Sequence, residues 1–263
     1  MLTMYQNGGW FNGPNDEYDQ ALGYKRGYRT STRDLPMEMA DALAKRNISM
    51  FIYVTAQPPC CDANAQRTFG FSTGLDDQKY TLEAAEKWNR VLRWWSIHYG
   101  EKVAGWWGDA SYPWRDFNEE IAALYREGLR AGNPNAVVAF NSGVKGPEWL
   151  TSDYTAGEVY EPFDETGTDF SREENRATQK GHILTFLGED WGVPGLRSYA
   201  ELWIPWGQNI AATGTALTFD LGLNSDGDKP GYFSEEALAV VRAVAGSVDG
   251  ENASENAAED GDE

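Results

Sequence analysis

Runs of β-rich sequence alternate with helix-period runs from one end of this chain to the other, and that alternation restricts its fold more than any other feature. Such a pattern buries apolar surface best as βα units on a parallel sheet. The stretches "LTMYQ" (2–6), "ISMFIYV" (48–54), "VAGWWGD" (103–109), "AVVAFN" (136–141), "YTAGEVY" (154–160), "HILTFLG" (182–188) and "TALTFDLG" (215–222) read as strands, seven in all. Between them, Asp34 precedes a helix through Met39 and Leu43, and Thr81 caps one carrying Leu82, Ala85, Trp88, Leu92 and Trp95. Asp116 with Glu119 opens another whose apolar face runs through Phe117, Ile121, Leu124, Tyr125 and Leu129, with Gly132 as the stop. Ser234 caps the last, with Leu238, Val241 and Ala245 inward, and the polar, aperiodic segment 161–181 reads as a long loop or a loop with a short helix.

Seven strands approach the eight of a (β/α)8 TIM-type barrel. The first begins almost at Met1, so the expected fold class is an α/β barrel lacking its first βα unit in this chain. The barrel is expected to occupy residues 1–247 as one domain, a normal size for the architecture, with residues 248–263 as an acidic disordered tail. A doubly wound nucleotide-binding sheet would carry a glycine-rich phosphate loop after its first strand. "QNGGWFNG" has glycines but neither the G-x-G-x-x-G spacing nor a helix start directly behind it.

A net charge of −19 repels phosphate backbones and anionic membrane surfaces, so neither nucleic acid nor membrane is an expected partner. No stretch is apolar enough to span a bilayer, and "MLTMYQNGGW" is not a signal peptide. The compartment reads as cytoplasmic for the chain as it stands and as periplasmic or secreted if a signal peptide stands upstream; the oligomeric state is open. The only cysteines, Cys60 and Cys61, are adjacent and read as free thiols. With two histidines, His98 in a helix and His182 at a strand start, there is little material for a metal site or a Ser-His-Asp triad. "DLGLNSDGDKPG" resembles a calcium loop in composition but lacks its final glutamate and a preceding helix. No metal or cofactor is expected.

The chain holds 11 Trp, 13 Tyr and 11 Phe, more than a core of this size needs, which suits stacking on sugar rings as well as packing. In a barrel the pocket lies at the C-terminal ends of the strands. Several predicted strands end in a polar group there: Gln6 and Asn7, Asp109, Asn141, Glu158, Glu189 with Asp190, and Asp220. A carboxylate in a strand needs partners, solvent or a task. Two carboxylates among aromatics are the arrangement glycosidases require, one ionised and one able to give a proton. Asp109 is the candidate nucleophile and Glu158 the candidate acid/base; for each the alternative is a capping or salt-bridging carboxylate.

"VAGWWGDASY" resembles the strand-four signature of α-L-fucosidase-like barrels, where a W-F-D-G or W-W-F-D-G run carries the nucleophilic aspartate, here Asp109. "RDLPMEMADALAKRNISMFIYV", "NPNAVVAFNSGV" and "DYTAGE" are similar to a divergent bacterial branch of that family, and the likeness runs from about residue 2 to 245. The resemblance implies a (β/α)8 barrel and a retaining, exo-acting hydrolase of an α-linked fucose-like or related sugar. It also implies a later glutamate as acid/base, matched to Glu158 with Glu161 as the fallback. Gln6, Asn7, Trp10, Trp107, Asn141, Glu161, Trp191 and Asp220 are the expected substrate-binding residues. Gly108 and Ala110 depart from the motif, which has an aromatic and a glycine there, and "YQNGGW" replaces the family's paired histidines. The alternative reading is a barrel that binds carbohydrate without cleaving it, or an inactive fragment.

Overall fold

The structure, a computed structural model, describes residues 1–6, 8–73, 79–144, 146, 149–160, 180–197, 200–225 and 230–246. The expected acidic disordered tail lies outside the described residues, as does most of the 161–181 loop. The chain divides into two compact units, Met1–Ala156 and Gly157–Glu263.

The first unit holds β1 (Leu2–Thr3), α1 (Asp16–Leu22), α2 (Leu35–Ala44), β2 (Met50–Thr55), α3 (Ala63–Phe69), α4 (Leu82–Tyr99), β3 (Val103–Asp109), α5 (Glu119–Leu129) and β4 (Val137–Phe140). All four strands are parallel and lie in sequence order, β1-β2-β3-β4. A doubly wound sheet would reverse direction at its first strand, and this order has no such switch point. Strand alternation sorts the side chains by face. Ile52, Val54, Trp106, Val138 and Phe140 join the buried core with Trp88 and Trp95 of α4 and Ile121 and Tyr125 of α5. Tyr53 and Trp107, paired in register, alternate to the other face with Asp109 two residues beyond Trp107.

Two small residues let α4 and α5 meet closely. A Cβ at Gly128 would lie 2.0 Å from Asn89 Oδ1, and one at Gly132 1.9 Å from the Ser96 carbonyl. Ser96 Oγ donates to the Leu129 carbonyl at 2.7 Å and accepts from Gly132 N at 3.0 Å, which closes the C-terminal end of α5 on α4.

The cap at Thr81 forms as expected, accepting from Ala84 N, and Asp34, expected only to precede a helix, caps α2 by accepting from Met37 N. Asp116 does not cap α5: it sits at φ 65° at the end of a 3-10 turn (Pro113–Arg115), and Asn118 caps the helix instead. Short helices α1 and α3 have clear caps, Asn15 and Asp62, but are too short to show a period in sequence. Asp62 does more than cap. Its carboxylate accepts from Asn64 N and Ala65 N and from the hydroxyls of Tyr18 and Tyr24, tying α1 and α3 together.

The second unit holds β5 (His182–Phe186), α6 (Ala200–Ala211), β6 (Ala216–Asp220) and α7 (235–246), with β5 and β6 parallel. Trp203, Trp206 and Ile210 pack with Ile183, Leu187 and Val240. Ser234 Oγ accepts from Ala237 N at 3.4 Å, the expected start of α7. The expected strand 154–160 does not form. Gly157 adopts φ 64°, which an extended strand cannot hold, and what remains are isolated bridge positions at Tyr154 and at Glu158, the latter parallel to Leu184. Six of the expected strands are therefore present, and among the described residues these six strands do not by themselves close a barrel. No described helix is long and apolar enough to cross a membrane.

Replacing Asp62 by Ala removes a helix cap and leaves the buried Tyr18 and the half-buried Tyr24 hydroxyls short of an acceptor. It is expected to cost about 2–4 kcal/mol, measured by urea denaturation of wild type and variant, whereas a change below about 0.5 kcal/mol would show the cluster to be unimportant.

Candidate active site

The first unit gathers its polar residues at the C-terminal ends of β2, β3 and β4. Thr55 pairs in register with Asp109, and Ala56 N donates to the Asp109 carbonyl at 2.8 Å, so both strands run in step to the same level. Tyr53 stacks on Trp107 with ring centroids 5.1 Å apart and planes 20° from parallel. Its hydroxyl, projecting along the sheet face, donates to Asp109 Oδ2 at 2.5 Å. Asn141, one residue past β4, donates Nδ2 to Asp109 Oδ1 at 2.9 Å. Its amide orientation follows from its other end, where Oδ1 accepts from Gly143 N at 3.1 Å. Tyr112 in the next loop donates to Asp109 Oδ1 at 3.4 Å.

Asp109 thus accepts from three neutral donors on its two oxygens, and no cation pairs with it among the described residues. Burial, then the Asp109 charge, push Tyr53 well above the usual tyrosine range, while a hydrogen bond from the Gln6 side chain acts the other way. The phenol therefore stays protonated and remains a donor. No group of three His, Cys, Asp or Glu side chains suited to a metal occurs among the described residues.

The expected site residues fall as follows. Gln6 is exposed and reaches the Tyr53 hydroxyl. Trp10 is 61% exposed, with the Arg29 guanidinium 5.1 Å from its ring centroid. Trp107, 1% exposed, donates Nε1 to the Ala156 carbonyl at 3.0 Å and backs the Tyr53 ring, so its face is occupied by packing. Asn141 is the amide described above. Asn7 and Glu161 lie outside the described residues.

In the second unit, Glu158 is half-buried beside β5, its backbone held by Val159 N to the Leu184 carbonyl at 3.0 Å and Leu184 N to the Gly157 carbonyl at 2.9 Å. Trp191 packs on Phe186 at 4.7 Å and edge-on to Tyr160 at 5.9 Å. Asp220, ending β6, accepts from Gly192 N at 2.5 Å. Burial raises its pKa above the ordinary aspartate value, with the Gly192 N–H acting in opposition.

Tyr53, Tyr112 and Arg197 were not foreseen. Arg197 places its guanidinium 3.9 Å from the Phe186 ring centroid and donates Nη2 to the Tyr160 carbonyl at 2.6 Å, fixing that aromatic group. Tyr53 had a signal: a phenol inside the otherwise apolar run "MFIYVT", two positions short of the strand end.

The motif's two departures have structural causes. A Cβ at Gly108 would lie 2.9 Å from Phe140 Cδ1, so a side chain on β4 fills the room an aromatic at 108 would need. Ala110 adopts φ 62°, the left-handed conformation that favours glycine, immediately after the carboxylate.

The fold is one found among glycoside hydrolases of known structure. The particular structures include two endo-fucoidan hydrolases of glycoside hydrolase family 107 and an α-L-fucosidase. Against MfFcnA4 the TM-score is 0.69 at 14% identity, covering 92% of this chain and 46% of that one. Against MfFcnA9 it is 0.66 at 15% identity, covering 92% and 55%. Against the α-L-fucosidase AlfC from Lactobacillus casei, solved with α-L-fucose product, it is 0.59 at 15% identity, covering 95% and 75%. The chain thus spans about half the length of the fucoidan hydrolases it matches. No model of a known protein family and no curated protein matches the sequence.

Substituting Ala110 by Gly relieves left-handed strain against a gain in unfolded-chain entropy, and a net stabilisation of about 0.5–1 kcal/mol is expected from denaturation curves. A loss of stability would show that Ala110 carries no strain. The raised pKa of Asp220 favours its protonated form in the fold. Its stabilising contribution is full below the unfolded-state value and is lost as pH rises through the raised folded value. Stability measured across a pH series should fall less steeply over that window in Asp220→Asn than in wild type; equal slopes would place the pH dependence elsewhere.

Proposed function

We propose that the chain is a retaining glycoside hydrolase acting on an α-linked fucose-like sugar, with Asp109 as nucleophile and Glu158 as acid/base. The observation that carries the proposal is the Asp109 carboxylate, held at a strand end by Tyr53, Asn141 and Tyr112 with no cation paired to it among the described residues. A carboxylate serving only structure would be expected to pair with a guanidinium or cap a helix, as Asp153 does with Arg126 and Arg130 and as Asp62 does for α3. The sequential parallel strands and the likeness to fucose-directed hydrolases support a (β/α)8 barrel over residues 1–247 as the scaffold.

In the proposed reaction Asp109 Oδ attacks the anomeric carbon as the bond to the leaving oxygen breaks, giving a glycosyl ester. Glu158 protonates that oxygen, then takes a proton from the water that hydrolyses the ester and releases Asp109. The three donors on Asp109 position it, and their bonds weaken as its charge passes to the sugar. Asn141, Gln6 and Trp10 are proposed sugar contacts in the first unit, and Trp191 and Asp220 in the second; Asn7 and Glu161 keep the roles expected from sequence. No metal or cofactor enters.

Assay on an aryl α-L-fucoside tests the assignment. Asp109→Asn should lower kcat/KM by about 10³-fold or more. Glu158→Ala should be slow on substrates with poor leaving groups and be accelerated by azide, which needs no general base. Retention of more than about a tenth of wild-type activity by Asp109→Asn would contradict the nucleophile assignment; saccharide binding without any hydrolysis by wild type would favour a non-catalytic carbohydrate-binding barrel.

A further inference from the structure

Trp114 has no part in the reaction proposed above, and it is among the most exposed aromatic side chains of the first unit, at 60%. It stands in the loop after β3, five residues beyond Asp109, inside the 3-10 turn Pro113–Arg115. Exposed indoles of this kind usually fold down onto a neighbour through both faces or onto apolar surface. Here the ring is held in place by one side. Its plane lies 10° from that of Tyr112, with centroids 4.4 Å apart, a face-to-face stack. The Tyr112 ring is itself braced by the Arg115 guanidinium, 5.1 Å from its centroid.

Three further contacts fix the turn. Lys79 Nζ donates to the Trp114 carbonyl and lies 3.6 Å from Asp116 Oδ2. Arg115 is buried and donates Nη1 to Gln57 Oε1 at 3.1 Å, anchoring the turn to the loop after β2. Gly143, in the loop after β4, adopts φ 108°, and a Cβ there would stand 2.9 Å from the Trp114 ring. Any side chain at 143 would push the indole out of its place. The ring is therefore preorganised, with one edge against the β4 loop, one face on Tyr112 and the rest in solvent.

Tyr112 links that ring to the chemistry, since its hydroxyl reaches Asp109. One phenol, in hydrogen-bond reach of the carboxylate, and one stacking step of 4.4 Å lie between Asp109 and the indole. A pyranose presents a flat face of C–H groups and a rim of hydroxyls, and a fixed, solvent-facing indole matches that face. We infer that the exposed face of Trp114 is the platform for a second sugar ring of the substrate, next to the ring whose anomeric carbon meets Asp109. The inference rests on the glycosidase reading of Asp109, and it makes an oligosaccharide, rather than a single sugar on a small aglycone, the ligand that fills the site.

Binding by calorimetry, without turnover, tests it. The ligands are methyl α-L-fucoside and two disaccharides whose sulfur-linked bonds resist hydrolysis, one extending the fucose at its anomeric carbon and one at a ring hydroxyl. In wild type at least one disaccharide should bind about tenfold more tightly than the methyl glycoside. Trp114→Leu, which keeps apolar bulk but no flat face, and Trp114→Ala should lose that advantage, and Trp114→Phe should keep most of it. The disaccharide that shows the effect tells which side of the fucose the platform serves. A disaccharide advantage that persists in Trp114→Leu and Trp114→Ala, or that is absent from wild type while the methyl glycoside binds, overturns the inference alone. Binding of none of the ligands removes it together with the reading of the site. Hydrolysis by Asp109→Asn, assayed separately, tests that reading whatever Trp114 does.

Discussion

The hydrogen bond from the Tyr53 hydroxyl to Asp109 Oδ2 joins two neighbouring parallel strands at the level where both end, and the rest of the site is arranged around it. Burial and the neighbouring carboxylate both raise the Tyr53 pKa, so the phenol keeps its proton and stays a donor. Trp107 stacks behind Tyr53 and is itself tied to the Ala156 carbonyl, so the phenol cannot swing away. Asn141 completes the cradle from β4. Because Asp109 and Tyr53 stand on strands and Asn141 directly follows one, the carboxylate's position is set by the sheet register rather than by loop packing.

The same register explains why the segment around Asp109 can depart from the fucosidase-like motif it resembles. Alternation sends Gly108 to the helix-facing side, where Phe140 of β4 already occupies the space. The aromatic bulk is supplied by the adjacent strand instead of by the motif itself. Ala110 keeps the left-handed turn that a glycine would make without strain, and its carbonyl accepts from the Tyr80 hydroxyl at 3.1 Å, which helps hold the turn.

Much of this was legible in the sequence where burial acts through periodicity. The strand "VAGWWGD" runs over the residues expected of it, and α4 starts at the expected Thr81 cap. The failures are local. Asp116 and Asn118 both offer a capping side chain before the same helix, and the choice fell to Asn118 because Asp116 is taken up in a left-handed turn. "YTAGEVY" has strand composition, but Gly157 bends it after Ala156. Of the site, Asp109 and Asn141 could be read from polar strand ends. Tyr53 gave only a partial signal, because a tyrosine in an apolar strand is also compatible with plain packing, and only the neighbouring strand shows what its hydroxyl meets. Trp107 shows the converse: aromatic composition does not say which rings face solvent, and this one is buried against Tyr53.

The central claim, that Asp109 attacks the sugar, is tested most directly by trapping the intermediate it predicts. Incubation with a fluorinated fucosyl fluoride, which forms the glycosyl ester faster than it loses it, should leave one sugar attached, and peptide mass spectrometry should locate it on Asp109. A sugar found on another carboxylate, or turnover with inversion of the anomeric centre and no adduct, would contradict the account.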